Sequence, residues 1–262
     1  MNLLAIDVGN SNIRVGLFLD GELKSVDSMP GDDTDKLKKV LKNTWQQIPI
    51  SKSSKQEKRD GVIVVSSVKP AWVEPVRKIA KNELGEKLLV IGDNIPLPIA
   101  MFVDEPRAVG TDRVVAAAAA YAVVEDAVVV ADFGTALTID LVDEHGVFQG
   151  GVICPGLAME AKALKEGTAQ LPQVSVKRPN EPYGKNTADA INCGLYYAAI
   201  GTLEEVIRRY AEKIGRWPQT ILTGSAAKVI KADCEFIDNY VPDLVINGIA
   251  LAYRMHLEDK SV

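Results

Sequence analysis

The chain opens on "LLAIDVGNSNIRVGLFLDG", residues 3–21. An apolar run stops at an acid, passes through Gly9 and three small polar residues, and becomes apolar again. The pattern predicts strands over 3–8 and 13–19, with "DGEL" at 20–23 turning into a third strand. Leu37, Val40, Leu41, Thr44 and Ile48 recur at helical spacing, as do Val73, Val76, Ile79, Ala80 and Leu84. Between and after these helices, "GVIVVSSV" at 61–68 and "KLLVIG" at 87–92 read as strands. Pro96, Pro98 and Pro106 oppose regular structure, so 93–109 is expected to be irregular, and an Ala-rich helix is expected to start near Asp112.

The same pattern returns in "AVVVADFGTALTIDLVDEHGVFQGGVI". A shift of 125 positions puts Asp7 on Asp132, Gly9 on Gly134, Asn10 on Thr135 and Gly21 on Gly146. A helix from about 157, a long helix over about 187–213, a strand at 220–224, a short helix and a last helix from about 243 complete the chain. An internal repeat of this kind predicts two similar α/β domains, 1–113 and 114–262, with the final helix free to pack back on the first. The expected arrangement has a cleft between them and the two turns facing across it.

An acid-x-Gly turn has two readings. It is an ordinary hairpin, since Gly and Asn supply turn conformations. It is also a phosphate-holding turn, because successive backbone N–H groups in a tight turn bind anions and glycine permits close approach. Asn10, Ser11, Asn12 and Thr135 add neutral donors, and Arg14 adds a fixed charge. Asp7 and Asp132 suit such a site if a hydrated divalent cation lies between carboxylate and phosphate; a turn cap is the alternative for each.

"EPRAVGTDR" at 105–113 lies between the two turns. Asp112 suits a helix N-cap, or a carboxylate that accepts the proton of an attacking hydroxyl. Arg113 suits a bidentate grip on an acceptor carboxylate. The pair together predicts an acceptor bearing a hydroxyl and an anionic group.

These segments carry a family resemblance. "DVGNSNIR" (7–14), "GTDR" (110–113), "DFGTALT" (132–138), "GGVICPG" (150–156) and "GKNTADAINCG" (184–194) stand in the order and spacing of type III pantothenate kinases, and the match extends to "INGIALAY" near the C-terminus. The resemblance implies an α/β fold of two ribonuclease-H-like domains, as in the actin, hexokinase and acetate kinase superfamily. It implies ATP-dependent phosphorylation of pantothenate, the first step toward coenzyme A. Asp7, Val8, Gly9, Asn10, Ser11, Asn12, Ile13 and Arg14 resemble the first ATP loop, and Thr135 the ATP-contacting threonine of the second. Asp132 matches an aspartate that binds a monovalent cation, potassium or ammonium, while Asp7 would meet Mg²⁺ through phosphate or water. Val103, Gly110, Thr111, Asp112, Arg113 and Thr187 fall on pantothenate-binding positions, with Asp112 as proton acceptor. Thr187 is similar to a contact donated across a subunit boundary, which implies a homodimer.

The chain departs from the family pattern at four places. Val103 stands where an aromatic is usual, with Phe102 beside it; no Asn follows Asp112-Arg113; the adenosine-side glycine pair is Gly224-Ser225; and Ser11 replaces Thr. A non-catalytic regulator of the Bvg accessory factor type, or a kinase or phosphohydrolase for another small acid, remains an alternative.

Composition narrows the partners. Of 262 residues, 47% are apolar and 25% charged, with net charge −5, so no basic footprint for nucleic acid is expected. The basic run "SKSSKQEKR" at 51–59 reads as a solvated loop. Cys154, Cys193 and Cys234 lack metal-ligand spacing and fit reduced thiols. With no signal-peptide pattern and no apolar run long enough for a bilayer, a cytoplasmic location without membrane contact is expected. His145 and His256 have no partner pattern, and Tyr196 and Tyr197 are expected in core or subunit packing.

Overall fold

The computed structural model describes residues 1–51 and 58–260. Positions 52–57, most of the basic run, lie outside the described residues.

The first half contains β1 (Leu3–Val8), β2 (Asn12–Leu19), β3 (Glu22–Pro30), α1 (Thr34–Trp45), β4 (Val62–Ser67), α2 (Pro70–Glu83) and β5 (Leu88–Val90). Its sheet has the order β3-β2-β1-β4-β5. β2 runs antiparallel to β1 and β3, while β1, β4 and β5 are parallel. β1 is central, and its side chains are buried on both faces except at Asp7, as expected of a strand covered on two sides. Leu4, Ile6, Val15, Leu41, Trp45, Val65 and Val76 belong to one core, each such burial contributing about 1.5–3 kcal/mol.

Next come β6 (Ala100–Met101), a 3₁₀ turn over Pro106–Ala108 and α3 (Thr111–Val124). The second half holds β7 (Val128–Phe133), β8 (Ala136–Val142), β9 (Val147–Pro155), α4 (Leu157–Glu166), α5 (Thr187–Ile214), β10 (Gln219–Thr223), α6 (Ala227–Ile230), β11 (Asn239–Tyr240) and α7 (Leu244–Asp259). This second sheet has the order β11-β10-β7-β8-β9-β6. Read from β9, it repeats the first: a three-stranded meander, then two parallel strands. β7 even copies the burial pattern of β1, with only the acid, Asp132, partly open.

The duplication is that of paired ribonuclease-H-like units. One compact unit comprises Met1–Ala100, Asp104–Ala119 and Asp243–Val262; the other comprises Met101–Val103 and Ala120–Pro242. Helix α7 packs in the first unit, where a Cβ on Gly248 would strike the Val115 backbone.

The periodic segments form close to their predicted bounds. The stretch 93–109 is not wholly irregular, since it carries β6 and the 3₁₀ turn, and the two-residue β11 had no periodic signal to betray it. Among the described residues no helix is long and apolar enough to cross a membrane.

Candidate active site

In the first unit the opening turn is a hairpin. Gly9 N–H donates to Asn12 O at 3.0 Å, and Asn10 and Ser11 span the tip. Both tip carbonyls are held: Gly31 N–H donates to Ser11 O at 3.1 Å, and Lys69 Nζ to Asn10 O at 3.2 Å. Val8 and Ile13 are buried, so they can offer a ligand only backbone. Asp7 lies across from Arg14 of β2 and Ser66 of β4. Arg14 forms a part-buried ion pair with Asp243, just ahead of α7, which fixes its guanidinium at this edge of the turn.

The acceptor segment is tied to the same end of that sheet. Thr111 Oγ1 lies 2.8 Å from Ser66 Oγ, accepts from Ser67 N–H at 3.1 Å and donates to Ser67 O at 3.2 Å. Because Ser66 and Ser67 pair with Asp7 and Val8, this network brings the start of α3 beside the end of β1. Asp112 sits inside the first turn of α3 rather than at its cap, and its Oδ1 accepts Arg113 N–H at 2.8 Å. A Cβ on Gly110 would stand 2.6 Å from that oxygen, so only glycine leaves the carboxylate its place. Burial pushes the Asp112 carboxyl above its ordinary value, against the lowering influence of the Arg113 N–H and charge. A carboxylate made more basic in this way is suited to take a proton.

The second unit repeats the turn with one residue fewer. Gly134 N–H donates to Ala136 O at 3.0 Å, leaving Thr135 exposed at the tip. Gly156 N–H donates to Thr135 O at 3.1 Å, as Gly31 does to Ser11. Both holding glycines follow a proline at the end of a third strand, Pro30-Gly31 and Pro155-Gly156, at the same offset of 125. The motif pattern does not link these two positions, although their repeat spacing is legible in the chain.

Asp132 Oδ1 lies in a cradle made by glycine. A Cβ on Gly224 would strike it and the Phe133 backbone, and one on Gly134 would touch it at 3.6 Å. Gly224 also holds φ +95, a conformation that favours glycine. One carboxylate among backbone groups fits a weakly held monovalent cation. Asp7, also a single carboxylate, fits a Mg²⁺ that draws its other ligands from water and phosphate. Among the described residues no group of three or more His, Cys, Asp and Glu could hold a metal unaided.

Val103 is half-buried, with its Cγ1 3.6 Å from where a Cβ on Gly150 would lie, whereas Phe102 is 76% exposed. Thr187 is exposed at the first position of α5, behind the Asn186 cap that accepts Asp189 N–H at 2.9 Å. Tyr196 is fully buried and donates to Asp233 Oδ2 at 2.5 Å, while Tyr197 is 45% exposed. Cys193 and Cys234 are buried, and burial pushes the Cys234 thiol up to about 11.

The family model for type III pantothenate kinase matches residues 3–209. The chain belongs to that family. Type III pantothenate kinases transfer a phosphate to the hydroxyl of pantothenate, and membership makes ATP the co-substrate. Curated relatives of the same description include one from Dehalococcoides mccartyi, 31% identical over 257 residues, covering 97% of this chain and 98% of the relative. Another, from Listeria monocytogenes, is 32% identical over 255 residues with 96% of each covered. Among solved structures, a candidate Baf-family transcriptional activator from Campylobacter jejuni superposes with a TM-score of 0.62 at 20% identity, over 99% of this chain and 100% of that one. An N-acetylmannosamine kinase candidate from Listeria monocytogenes gives 0.52 at 11% identity, over 99% and 100%. At these identities the structures speak for the fold alone.

Proposed function

We propose that this chain phosphorylates the primary hydroxyl of pantothenate with ATP, giving 4′-phosphopantothenate. The observation that carries the reading is the placement of Asp112, a carboxyl of raised basicity held beside the phosphate turn of its unit by the Thr111 network. In this reading Asp112 takes the proton of the attacking hydroxyl, and Arg113 pairs with the pantothenate carboxylate. The backbone N–H groups and small side chains of 9–12 take up triphosphate oxygens, with Arg14 alongside; Thr135 is assigned an ATP contact of its own. Gly110 and Thr111 are assigned to the acceptor, as is Val103 by its place in the family pattern.

Mg²⁺ bound through Asp7 would neutralise charge on the phosphate oxygens. A monovalent cation, potassium or ammonium, belongs to Asp132. Thr187 is assigned to the acceptor site of a partner subunit in a homodimer, consistent with its exposure at a helix start. A cytoplasmic enzyme of coenzyme A biosynthesis, with no nucleic-acid or membrane partner, fits the acidic balance of the chain.

Most of the rate enhancement then comes from positioning and charge stabilisation. The test is an ADP-release assay with ATP, Mg²⁺ and potassium, run with and without pantothenate. Pantothenate-dependent release is expected. No turnover would point to a regulator on this scaffold, and pantothenate-independent release to another acceptor; either result overturns the proposal.

A further inference from the structure

The two turns differ in one respect that bears on nucleotide binding. The first has two tip residues between Gly9 and Asn12, the second a single residue between Gly134 and Ala136. In each, one tip carbonyl is held by the glycine after a third strand. The longer turn therefore has one more peptide to fix, and that peptide's carbonyl, Asn10 O, is the one that meets Lys69 Nζ at 3.2 Å.

Lys69 is itself held. Its ammonium stands 3.2 Å from the centroid of the Trp72 ring, an attractive cation–π geometry. The same ring packs where a Cβ on Gly31 would lie, so Trp72 supports both groups that hold the tip carbonyls. Lys69 N–H donates to Ser67 Oγ at 3.0 Å, which anchors the residue at the end of β4.

A trans peptide points its C=O and the following N–H in opposite directions. Tethering Asn10 O toward Lys69 therefore aims Ser11 N–H the other way, and tethering Ser11 O toward Gly31 does the same for Asn12 N–H. Ser11 N–H is thereby set for an anion on the side of the turn away from Lys69.

We propose that Lys69 is a positioning residue for the nucleotide: through Asn10 O it orients the Ser11 N–H that receives a phosphate oxygen of ATP. The proposal rests on reading the Asp7–Arg14 turn as the phosphate loop. Lys69 acts through the peptide and need not touch ATP.

The test is steady-state kinetics of Lys69→Met and Lys69→Arg in the full-length chain, with ADP affinity by calorimetry. Lys69→Met keeps the apolar stem and loses donor and charge. KM for ATP is expected to rise about tenfold, the scale of one hydrogen bond from a charged donor, and ADP affinity to fall in step. KM for pantothenate should stay within about twofold, and Lys69→Arg, which keeps a cationic donor over the ring, should restore most of the loss. An unchanged KM for ATP in Lys69→Met, or equal impairment in Lys69→Arg, would overturn the proposal. Ser11→Pro, which deletes the N–H itself, and Asp7→Asn separate the two levels. If neither alters ATP binding, the loop reading fails; if they weaken it while Lys69→Met does not, the Lys69 proposal alone fails.

Discussion

The Thr111 hydroxyl lies 2.8 Å from that of Ser66 and also bonds both backbone groups of Ser67. This short network couples the acceptor segment to β4, and through strand pairing to Asp7. Ser66 is fully buried, so its hydroxyl has no water to turn to if Thr111 is lost. Thr111→Val keeps the shape and deletes the hydroxyl. It is expected to cost about 1–3 kcal/mol of stability by leaving buried groups unmatched. Loosening the first turn of α3 should also lower kcat several-fold, while Thr111→Ser should be near wild type on both counts. Thermal melts and turnover of the two variants check this.

Asp112→Asn separates chemistry from folding. Loss of a general base costs about 10²–10⁴ in rate, so kcat should fall by that order with both substrates still bound. Stability should move the other way. Burial raises the Asp112 pKa, so the folded state holds its proton more tightly than the unfolded chain does. Stability is then lost as pH rises from the ordinary aspartate value, and at neutral pH the penalty is in force. Asn carries no charge and can still accept Arg113 N–H. The variant should therefore melt at or above the wild-type temperature at pH 7 while being nearly inactive. In the wild type, kcat/KM should drop on the acid side at a pH above the ordinary aspartate range. A pH–rate profile without that displaced limb would remove Asp112 from the proton transfer.

Much of this architecture is legible in the amino-acid sequence. The strands on either side of Asp7 and of Asp132 announce themselves because buried central strands need near-continuous apolar runs, and their 125-residue offset marks the duplication. What stayed hidden depends on contacts remote in sequence. Nothing near Lys69 signals that its ammonium reaches Asn10, and nothing near Arg14 signals Asp243, 229 positions away. By local sequence Asp112 suits a helix cap as well as chemistry, and only the path of the backbone puts it inside the first turn. Nothing beside Gly156 in the chain signals its bond to Thr135 O, which gives it a defined place in the second turn.

Gly156→Ala tests that place. A Cβ there would stand 2.5 Å from Gly134 O and 2.6 Å from Thr135 O, and both are backbone atoms of the turn. They cannot swing aside as a side chain would, so the turn must shift. A cost of about 1–3 kcal/mol is expected, with a several-fold rise in KM for ATP as Thr135 is displaced. Gly201→Ala is the control, since nothing lies within 4 Å of a Cβ there and the site is within α5. It should be neutral or stabilising by about 0.5–1 kcal/mol, as alanine for glycine is in a helix. Equal effects at both positions would mean that the Gly156 contact is not what matters.

Glu160 offers a pH test outside the proposed chemistry. It lies in the first turn of α4, where its N–H donates to Gly156 O at 3.0 Å. Its Oε2 is buried and has no hydrogen-bond partner among the described residues. Burial raises its pKa from 4.5, so the folded state binds the proton more tightly than the unfolded chain. Stability is therefore lost as pH climbs from about 4.5 through the raised value, and none of the loss is present at lower pH. Glu160→Gln deletes the ionisation. The variant should melt a few degrees above wild type at pH 7–8, with the gap closing as pH falls toward 4.5. A gap that stayed constant with pH would assign the gain to packing, and a lower melting temperature at pH 7 would show that the ionised carboxylate is satisfied in the folded protein.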